Sequence, residues 1–116
     1  MNALEVGNKL VAYLESHDME KIYKELYSND IVSIEADGQT ARGMQEISAK
    51  GEWWNKTFEV KSMKWDGPYP NGDDFILFYD MSLIEKATNK ESRMKEAALY
   101  TVKDGKIVNE RFFFTR

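Results

Sequence analysis

The sequence contains no cysteine, one histidine and only two prolines in 116 residues. Without cysteine, the chain has no disulfide bonds, thiolate zinc sites, iron–sulfur clusters or thiol nucleophiles. His17 alone cannot build a multi-histidine metal site. No apolar run approaches the ~18 residues of a membrane span, and the first 13 residues lack the pattern of a signal peptide. We therefore expect no metal, no cofactor, no membrane partner and a cytoplasmic location.

The net charge and the composition indicate which partners and how many domains to expect. Acidic residues outnumber basic ones by 20 to 16, which gives a net charge of −4. This excess repels a phosphate backbone, so we expect no nucleic-acid partner. The length suits one domain, residues 1–116, because no repeat or linker divides it. What the chain has in plenty is aromatic residues, 13% of the total, which could fill a core, line a pocket or form a subunit interface.

Apolar residues recur at helical spacing in three segments of the first half of the chain. The segments are residues 3–14, 19–27 and 44–58, with Asn2 and Asp18 as caps for the first two. The spacing predicts three helices.

The pattern elsewhere is that of strands and hairpin turns. Asp37-Gly38 predicts a turn between short strands at 31–36 and 39–42. Longer strands are predicted at 61–65, 75–84, 93–103 and 107–114, with loops at 67–72 and 87–92 and a turn at 104–105. Because helices come first and long strands later, the order indicates an α+β domain with a mainly antiparallel sheet.

The run at residues 25–35, ELYSNDIVSIE, resembles the helix-to-strand entry of the SnoaL-like polyketide cyclase family, a branch of the nuclear transport factor 2-like superfamily. The resemblance continues through residues 42–54, 67–70, 96–108 and 110–114, in the order that the family has them. It implies a cystatin-like fold, in which a curved, cone-shaped, mainly antiparallel sheet wraps around three N-terminal helices.

The resemblance implies a pocket but no single reaction, because the superfamily includes cyclases, ketosteroid isomerase, dehydratases, epoxide hydrolases and binding proteins. Three functions stay open. The first is a cofactor-independent cyclase or isomerase that moves a proton on a small, hydrophobic, oxygenated molecule. The second is a carrier that binds such a molecule unchanged, and the third is a dimerisation module.

Three carboxylates in successive strands are candidate catalytic residues: Asp80, Glu96 and Glu110. Each alternates with apolar or aromatic residues along its strand, and an acid on an apolar face has a raised pKa unless it is paired. Asp80 is the first choice because its own strand offers no base nearby. The alternative is that each acid pairs with Lys or Arg across the ladder.

Five aromatic residues are candidates for binding a ligand: Tyr13, Trp54, Phe78, Tyr100 and Phe112. The competing interpretation is that they fill the core. His17 lies between two helices, where capping or loop packing is the ordinary role, and the dehydratases of the superfamily carry their histidine on a strand instead. Along the last strand, Phe113 is on the opposite face from Phe112 and Phe114. A phenylalanine on this outer face implies a partner that covers it. The resemblance implies a homodimer through that open sheet face.

Overall fold

The computed structural model describes residues 1–115, with the side chains of residues 1–114. The helices are α1 (Ala3–Glu15), α2 (Met19–Lys21), which continues as a π-helical turn (Ile22–Leu26), and α3 (Gly43–Thr57). The strands are β1 (Tyr27–Ile34), β2 (Thr40–Arg42), β3 (Phe58–Asn71), β4 (Asp74–Glu85), β5 (Lys90–Lys103) and β6 (Lys106–Thr115). This confirms the predicted α+β class. None of the helices in the described residues is long and apolar enough to cross a membrane.

Side-chain caps fix where the first two helices begin. The Asn2 side chain accepts a hydrogen bond from the Glu5 backbone N–H, and the Glu5 carboxylate accepts one from the Asn2 N–H. Asp18 accepts from the Lys21 N–H in the same way. Each cap satisfies a backbone donor that the first helical turn leaves unpaired, as the sequence predicted.

The second helix is shorter than its apolar spacing predicts. It ends in the π-helical turn, and β1 begins at Tyr27 rather than after residue 30. The prediction that Tyr27 belongs to the helix was therefore wrong. Tertiary pairing overrides the local pattern here, because Tyr27 lies opposite Ile107 of β6 in the parallel pairing of the two strands.

The six strands form one curved sheet in the order β2-β1-β6-β5-β4-β3. All neighbours are antiparallel except β1 and β6, which run parallel. The prediction of a loop at residues 67–72 was wrong, because β3 extends to Asn71 with an irregularity between Asp66 and Tyr69. Two prolines are tolerated there because β3 is an edge strand and its outer side needs no donor. The predicted connection at 87–92 is also shorter, since β5 begins at Lys90.

A bulge in β6 changes which residues face inward. Thr101 lies opposite Asn109, but Val102 lies opposite Ile107, so Val108 is an extra residue on β6. The buried residues are consequently Ile107 and Glu110, not Val108 and Glu110 as strict alternation predicts. Phe112 and Phe114 remain on the side of Glu110, as expected.

The core lies between the helices and the inner face of the sheet. Along β4 the inward side chains are all buried: Phe75, Leu77, Tyr79, Met81 and Leu83. They pack with the helix residues Val6, Leu10, Ile22, Leu26 and Ile47 in one hydrophobic cluster. The curved sheet therefore has a covered inner face and an uncovered outer face.

Gly7 is the point of closest approach between α1 and the sheet. A Cβ atom at this position would lie 2.7 Å from Pro68 Cβ and 3.2 Å from Phe75 Cδ2. Glycine costs helix stability, about 1 kcal/mol relative to alanine. Glycine is nevertheless required here, because a larger residue would push α1 away from β3 and β4.

We predict that G7A lowers the free energy of unfolding by about 1–2 kcal/mol, since the steric strain of overpacking exceeds the gain in helix propensity. Urea denaturation measures the change. N8A, at an exposed position of the same helix, is the control and should be neutral or slightly stabilising. A more stable G7A protein would contradict the packing argument.

Candidate functional site

Glu110 is the most deeply buried acid of the inner face, with only 4% of the residue exposed. It lies on β6 opposite Tyr100 of β5 and Ser33 of β1. The Tyr27 hydroxyl donates to its Oε2 atom over 2.6 Å, and Ser33 forms a second hydrogen bond to the carboxylate. Burial raises the pKa of Glu110, although these bonds and the Lys50 charge oppose the rise.

Tyrosine hydroxyls fill the space around this acid. Tyr79 and Tyr100 share a hydrogen bond of 2.7 Å, and both residues are buried. The Tyr23 ring lies 5.3 Å from that of Tyr27, and its hydroxyl approaches α3 where Gly51 leaves room for it. Burial is the main cause that raises the pKa of each of these four hydroxyls, so they are neutral at physiological pH.

Lys50 and Glu35 form a salt bridge nearer the solvent, with 31% and 29% of their side chains exposed. The Lys50 ammonium also donates to Ser33 Oγ over 2.7 Å and lies 4.9 Å from the centre of the Phe112 ring. A continuous set of contacts therefore runs from this exposed pair through Ser33 to buried Glu110. We name Glu35, Lys50 and Glu96 the mouth group.

Glu96 is the second acid of the inner face and is only partly buried. It lies on β5 between Tyr79 of β4 and Phe114 of β6. Burial, followed by the negative charge of Glu35, raises the pKa of Glu96 to about 7, while Lys50 opposes the rise. Such a carboxyl accepts and releases a proton near neutral pH, as a general acid or base must.

The structure separates Asp80 from these two acids. Asp80 lies on the outer face of β4, where Arg93 donates to both carboxylate oxygens over 2.8 and 2.6 Å. These bonds lower the pKa of Asp80. The cation is on the neighbouring strand, which is the cross-ladder pairing that the sequence left as the alternative. Asp80 therefore faces away from Glu96 and Glu110.

The five aromatic candidates lie in different surroundings and do not form one site. Phe112 lies beneath the Lys50 ammonium, and Trp54 packs against Phe58 with ring centres 4.8 Å apart. Tyr100 is buried with Tyr79. Tyr13 donates to Glu25 over 2.8 Å, within the helical layer. Phe78 is on the outer face and 45% exposed.

An open groove of about 520 Å³ crosses the outer face of the sheet. Asp66, Phe78, Asp80, Lys95 and Phe113 line it, together with the residues that alternate with them along the same strands, among them Tyr79, Glu96 and Phe114. Phe78 and Phe113 are 45% and 48% exposed, and Tyr69 lies beside Phe78 with ring centres 6.1 Å apart. The outer face thus carries an apolar groove with charges of both signs at its sides.

The sequence model of the SnoaL-like domain matches residues 1–114. The chain belongs to the SnoaL-like family. A Mesorhizobium loti protein assigned to the SnoaL-like polyketide cyclases is similar to it, with 34% identity, coverage of 97% of this chain and 99% of the other, and a TM-score of 0.90.

Two more distant structures share the fold of this SnoaL-like protein. A nuclear transport factor 2-like protein of Burkholderia thailandensis is 20% identical, covers 99% of this chain and 92% of its own, and has a TM-score of 0.86. A Rhodopseudomonas palustris protein assigned to the isomerases is 12% identical, with coverage of 85% and 78% and a TM-score of 0.71. Among curated proteins, none matches the chain in sequence.

Sequence reasoning about this SnoaL-like protein missed Lys50, Glu35 and Ser33. The available signal was that Lys50 lies three residues after Ile47 and four before Trp54, on the helix face that packs on the sheet. His17 is exposed in the turn after α1, at a φ of 57°. In residues 1–115, no group of three or more acidic or histidine side chains is arranged to hold a metal ion.

We predict that E96Q changes how stability depends on pH. The Glu96 pKa is about 7 in the folded protein against an ordinary 4.5. The folded state therefore binds this proton more tightly than the unfolded state, and ionisation of Glu96 lowers the free energy of unfolding as pH rises from about 4.5 to about 7. Glutamine removes the titration, so E96Q should gain stability relative to wild type at high pH.

Between pH 5 and pH 8, the free energy of unfolding of E96Q should rise by about 1–2 kcal/mol relative to that of wild type. A pKa shift is worth ~1.4 kcal/mol per unit, and the partial exposure of Glu96 reduces this value through solvent screening. Urea denaturation of both proteins at both pH values measures it. E52Q, at an exposed position on α3, should show no such gain. An equal stability difference for E96Q at pH 5 and pH 8 would refute the elevated pKa.

Proposed function

We propose that this SnoaL-like protein is a cofactor-independent enzyme that moves a proton on carbon beside a carbonyl group of a small hydrophobic molecule. Glu96 is the acid and base. The observation that carries the proposal is the position of Glu96, a partly exposed carboxyl with a pKa of about 7 on the inner face. A base of this strength removes a proton only from activated carbon, and a neighbouring carbonyl provides such activation.

Glu96 is a better choice than Glu110 because a substrate must reach the reacting oxygen. Glu110 is 4% exposed, and Tyr27 and Ser33 already hold its carboxylate. Those bonds fix Glu110 as a structural acid within the polar interior. Glu96 lies at the mouth group, where a ligand contacts it without displacing a buried side chain.

The surroundings of the mouth group support an apolar substrate. Phe112, Phe114 and Trp54 are partly buried aromatic residues, so each still presents ring surface. The names of two relatives agree with proton transfer at carbon: the Mesorhizobium loti protein is assigned to the polyketide cyclases and the Rhodopseudomonas palustris protein to the isomerases. An aldol-type cyclisation and a keto–enol isomerisation both begin with removal of such a proton.

The activity is tested by solvent exchange, which requires no knowledge of the natural substrate. Small apolar ketones and 1,3-diketones are incubated with the protein in deuterated water, and mass spectrometry follows deuterium incorporation. Wild type should exceed the buffer rate, with a rise through about pH 7 as Glu96 ionises. E96Q should lose about 10²–10⁴-fold of the catalysed rate.

E52Q is the matched control and should retain the wild-type rate. Two outcomes contradict the proposal. One is equal exchange in E96Q and wild type, and the other is a wild-type rate that does not exceed buffer across the panel.

We propose further that a second copy of the chain covers the outer groove. Phe78 and Phe113 leave nearly half of their surface exposed on one face. Lys95 and Asp66 beside them place opposite charges on the same surface. A two-fold axis brings a surface against itself, so this mixture of rings and opposite charges is self-complementary.

The dimer is tested by sedimentation of wild type, F113S and F78S at micromolar concentration. Wild type should sediment as a dimer, and each serine variant should weaken association by at least tenfold, because burial of a phenylalanine side chain is worth ~1.5–3 kcal/mol. M19S removes an apolar side chain of similar exposure from α2 and should leave the dimer unchanged. A monomeric wild type would remove the proposal.

A further inference from the structure

Removal of a proton beside a carbonyl places negative charge on the carbonyl oxygen, and that oxygen needs a donor. The tyrosines of the interior are poorly placed to provide it. Tyr27 donates to Glu110, and the Tyr79–Tyr100 pair is bonded to itself. All three residues are less than 10% exposed. A donor within reach of Glu96 and of the solvent must be sought elsewhere.

Lys50 meets this requirement. Its ammonium lies over the Phe112 ring of β6, and Phe112 lies opposite Ala98, two residues from Glu96 on the same face of β5. About a third of the Lys50 side chain is exposed. An ammonium has three N–H donors, and the bonds to Glu35 and Ser33 account for two of them.

Three contacts hold the ammonium in place before any ligand arrives. Glu35 neutralises its charge, Ser33 accepts from it, and the Phe112 ring lies beneath it at 4.9 Å from the ring centre. Ser33 is itself fully buried and bonded to Glu110. A donor fixed in this way loses little entropy when it binds an oxygen, so it stabilises developing charge efficiently.

We propose that Lys50 is a catalytic residue that donates a hydrogen bond to the substrate carbonyl oxygen as it becomes an enolate, with Ser33 and Glu35 as positioning residues. This assignment rests on the proposed function. The Glu96 carboxylate takes the proton from carbon, and the C–H electron pair forms the C=C bond of the enolate. The carbonyl π pair moves to oxygen, where Lys50 stabilises it. When Glu96 returns the proton to the same carbon, the oxygen pair re-forms the C=O bond and the hydrogen is exchanged; when Glu96 delivers it to another carbon of a conjugated enolate, the double bond has moved and the molecule is isomerised.

The proposal also defines the ligand class. The molecule carries a carbonyl or phenolic oxygen on an apolar frame, so that its oxygen reaches Lys50 while its frame lies along the aromatic residues. Anionic oxygen should bind more tightly than neutral oxygen. The preference should be strongest below pH 7, where Glu96 holds a proton as it does in the enolate complex.

The probe is 4-nitrophenol, a phenol whose ionised form is recognised by its absorbance. Titrations at pH 6 compare wild type with K50M, K50R and K56M. The bound phenol should be more ionised on wild type than in solution, and K50M should lose at least tenfold in phenolate affinity. K50R should retain most of it, and K56M, which removes an exposed lysine of the same helix, should match wild type.

Neutral 4-nitroanisole tests whether K50M still binds an apolar frame, and its affinity should be unchanged. The S33A variant should lose phenolate affinity by a smaller factor than K50M. It removes one hydrogen bond that holds the Lys50 ammonium in place but leaves the ammonium itself. The assignment of Lys50 is overturned if K50M binds phenolate as tightly as wild type, or if wild type binds no phenolate.

The proposed function and the role of Lys50 fail in different ways. Phenolate binding involves no removal of a proton from carbon, so it reports on Lys50 alone. Deuterium exchange that depends on Glu96, together with phenolate binding that ignores K50M, would remove only Lys50. Phenolate binding that depends on Lys50, without any exchange, would remove the reaction and leave Lys50 as a residue that binds anionic oxygen without a catalytic role.

Discussion

The buried hydrogen bond between Tyr27 and Glu110 is the interaction on which the inner face depends. A carboxyl with 4% exposure is tolerated only where hydrogen bonds compensate for lost water, and Tyr27 and Ser33 supply them. Both donors are on β1. The acid on β6 therefore links its strand to both ends of β1, and the parallel pairing of the two strands carries this contact.

From Glu110 towards the solvent, the polar groups differ in how deeply they are buried and in how they are hydrogen-bonded. Glu110 is enclosed and bonded, Ser33 connects it to Lys50, and Lys50 reaches the solvent with Glu35. Glu96 lies on the same sheet face but is less enclosed. Two glutamates of one face thus differ in environment because one is held by fixed hydrogen bonds and the other is not. This difference in burial separates the enclosed Glu110 from Glu96, the acid that we propose as the reactive one.

The elements that could be predicted from sequence are those with local causes. Asn2 and Asp18 cap helices through neighbouring backbone groups, and alternation along β4 and β5 follows from strand geometry. The two-residue alternation of a strand correctly placed Asp80 and Tyr79 on opposite faces of β4. It could not say which face is covered by helices, and Asp80 ranked before Glu96 because its own strand offers no base nearby.

The remaining features depend on contacts between distant parts of the chain. The ion-pair partner of Asp80, Arg93, is 13 residues away on the next strand. Lys50 contacts Ser33 and Phe112 only because α3 packs over the sheet. The bulge at Val108 shifts the inward phase of β6 and has no local signature. The resemblance to a family identified the fold, but the environment of each carboxyl required the assembled sheet.

One layer of backbone separates the two proposed surfaces. Tyr79 is buried and lies opposite Glu96, while Phe78, Asp80 and Ala97 alternate with these two residues along β4 and β5, and all five border the outer groove. A second copy seated in that groove would therefore press on the same strand segments that position Glu96. Because alternate residues of one strand serve opposite faces, the outer contact limits how far these segments can bend. The proposed association and the proposed role of Glu96 would thus be linked through β4 and β5, the strands that contribute to both surfaces.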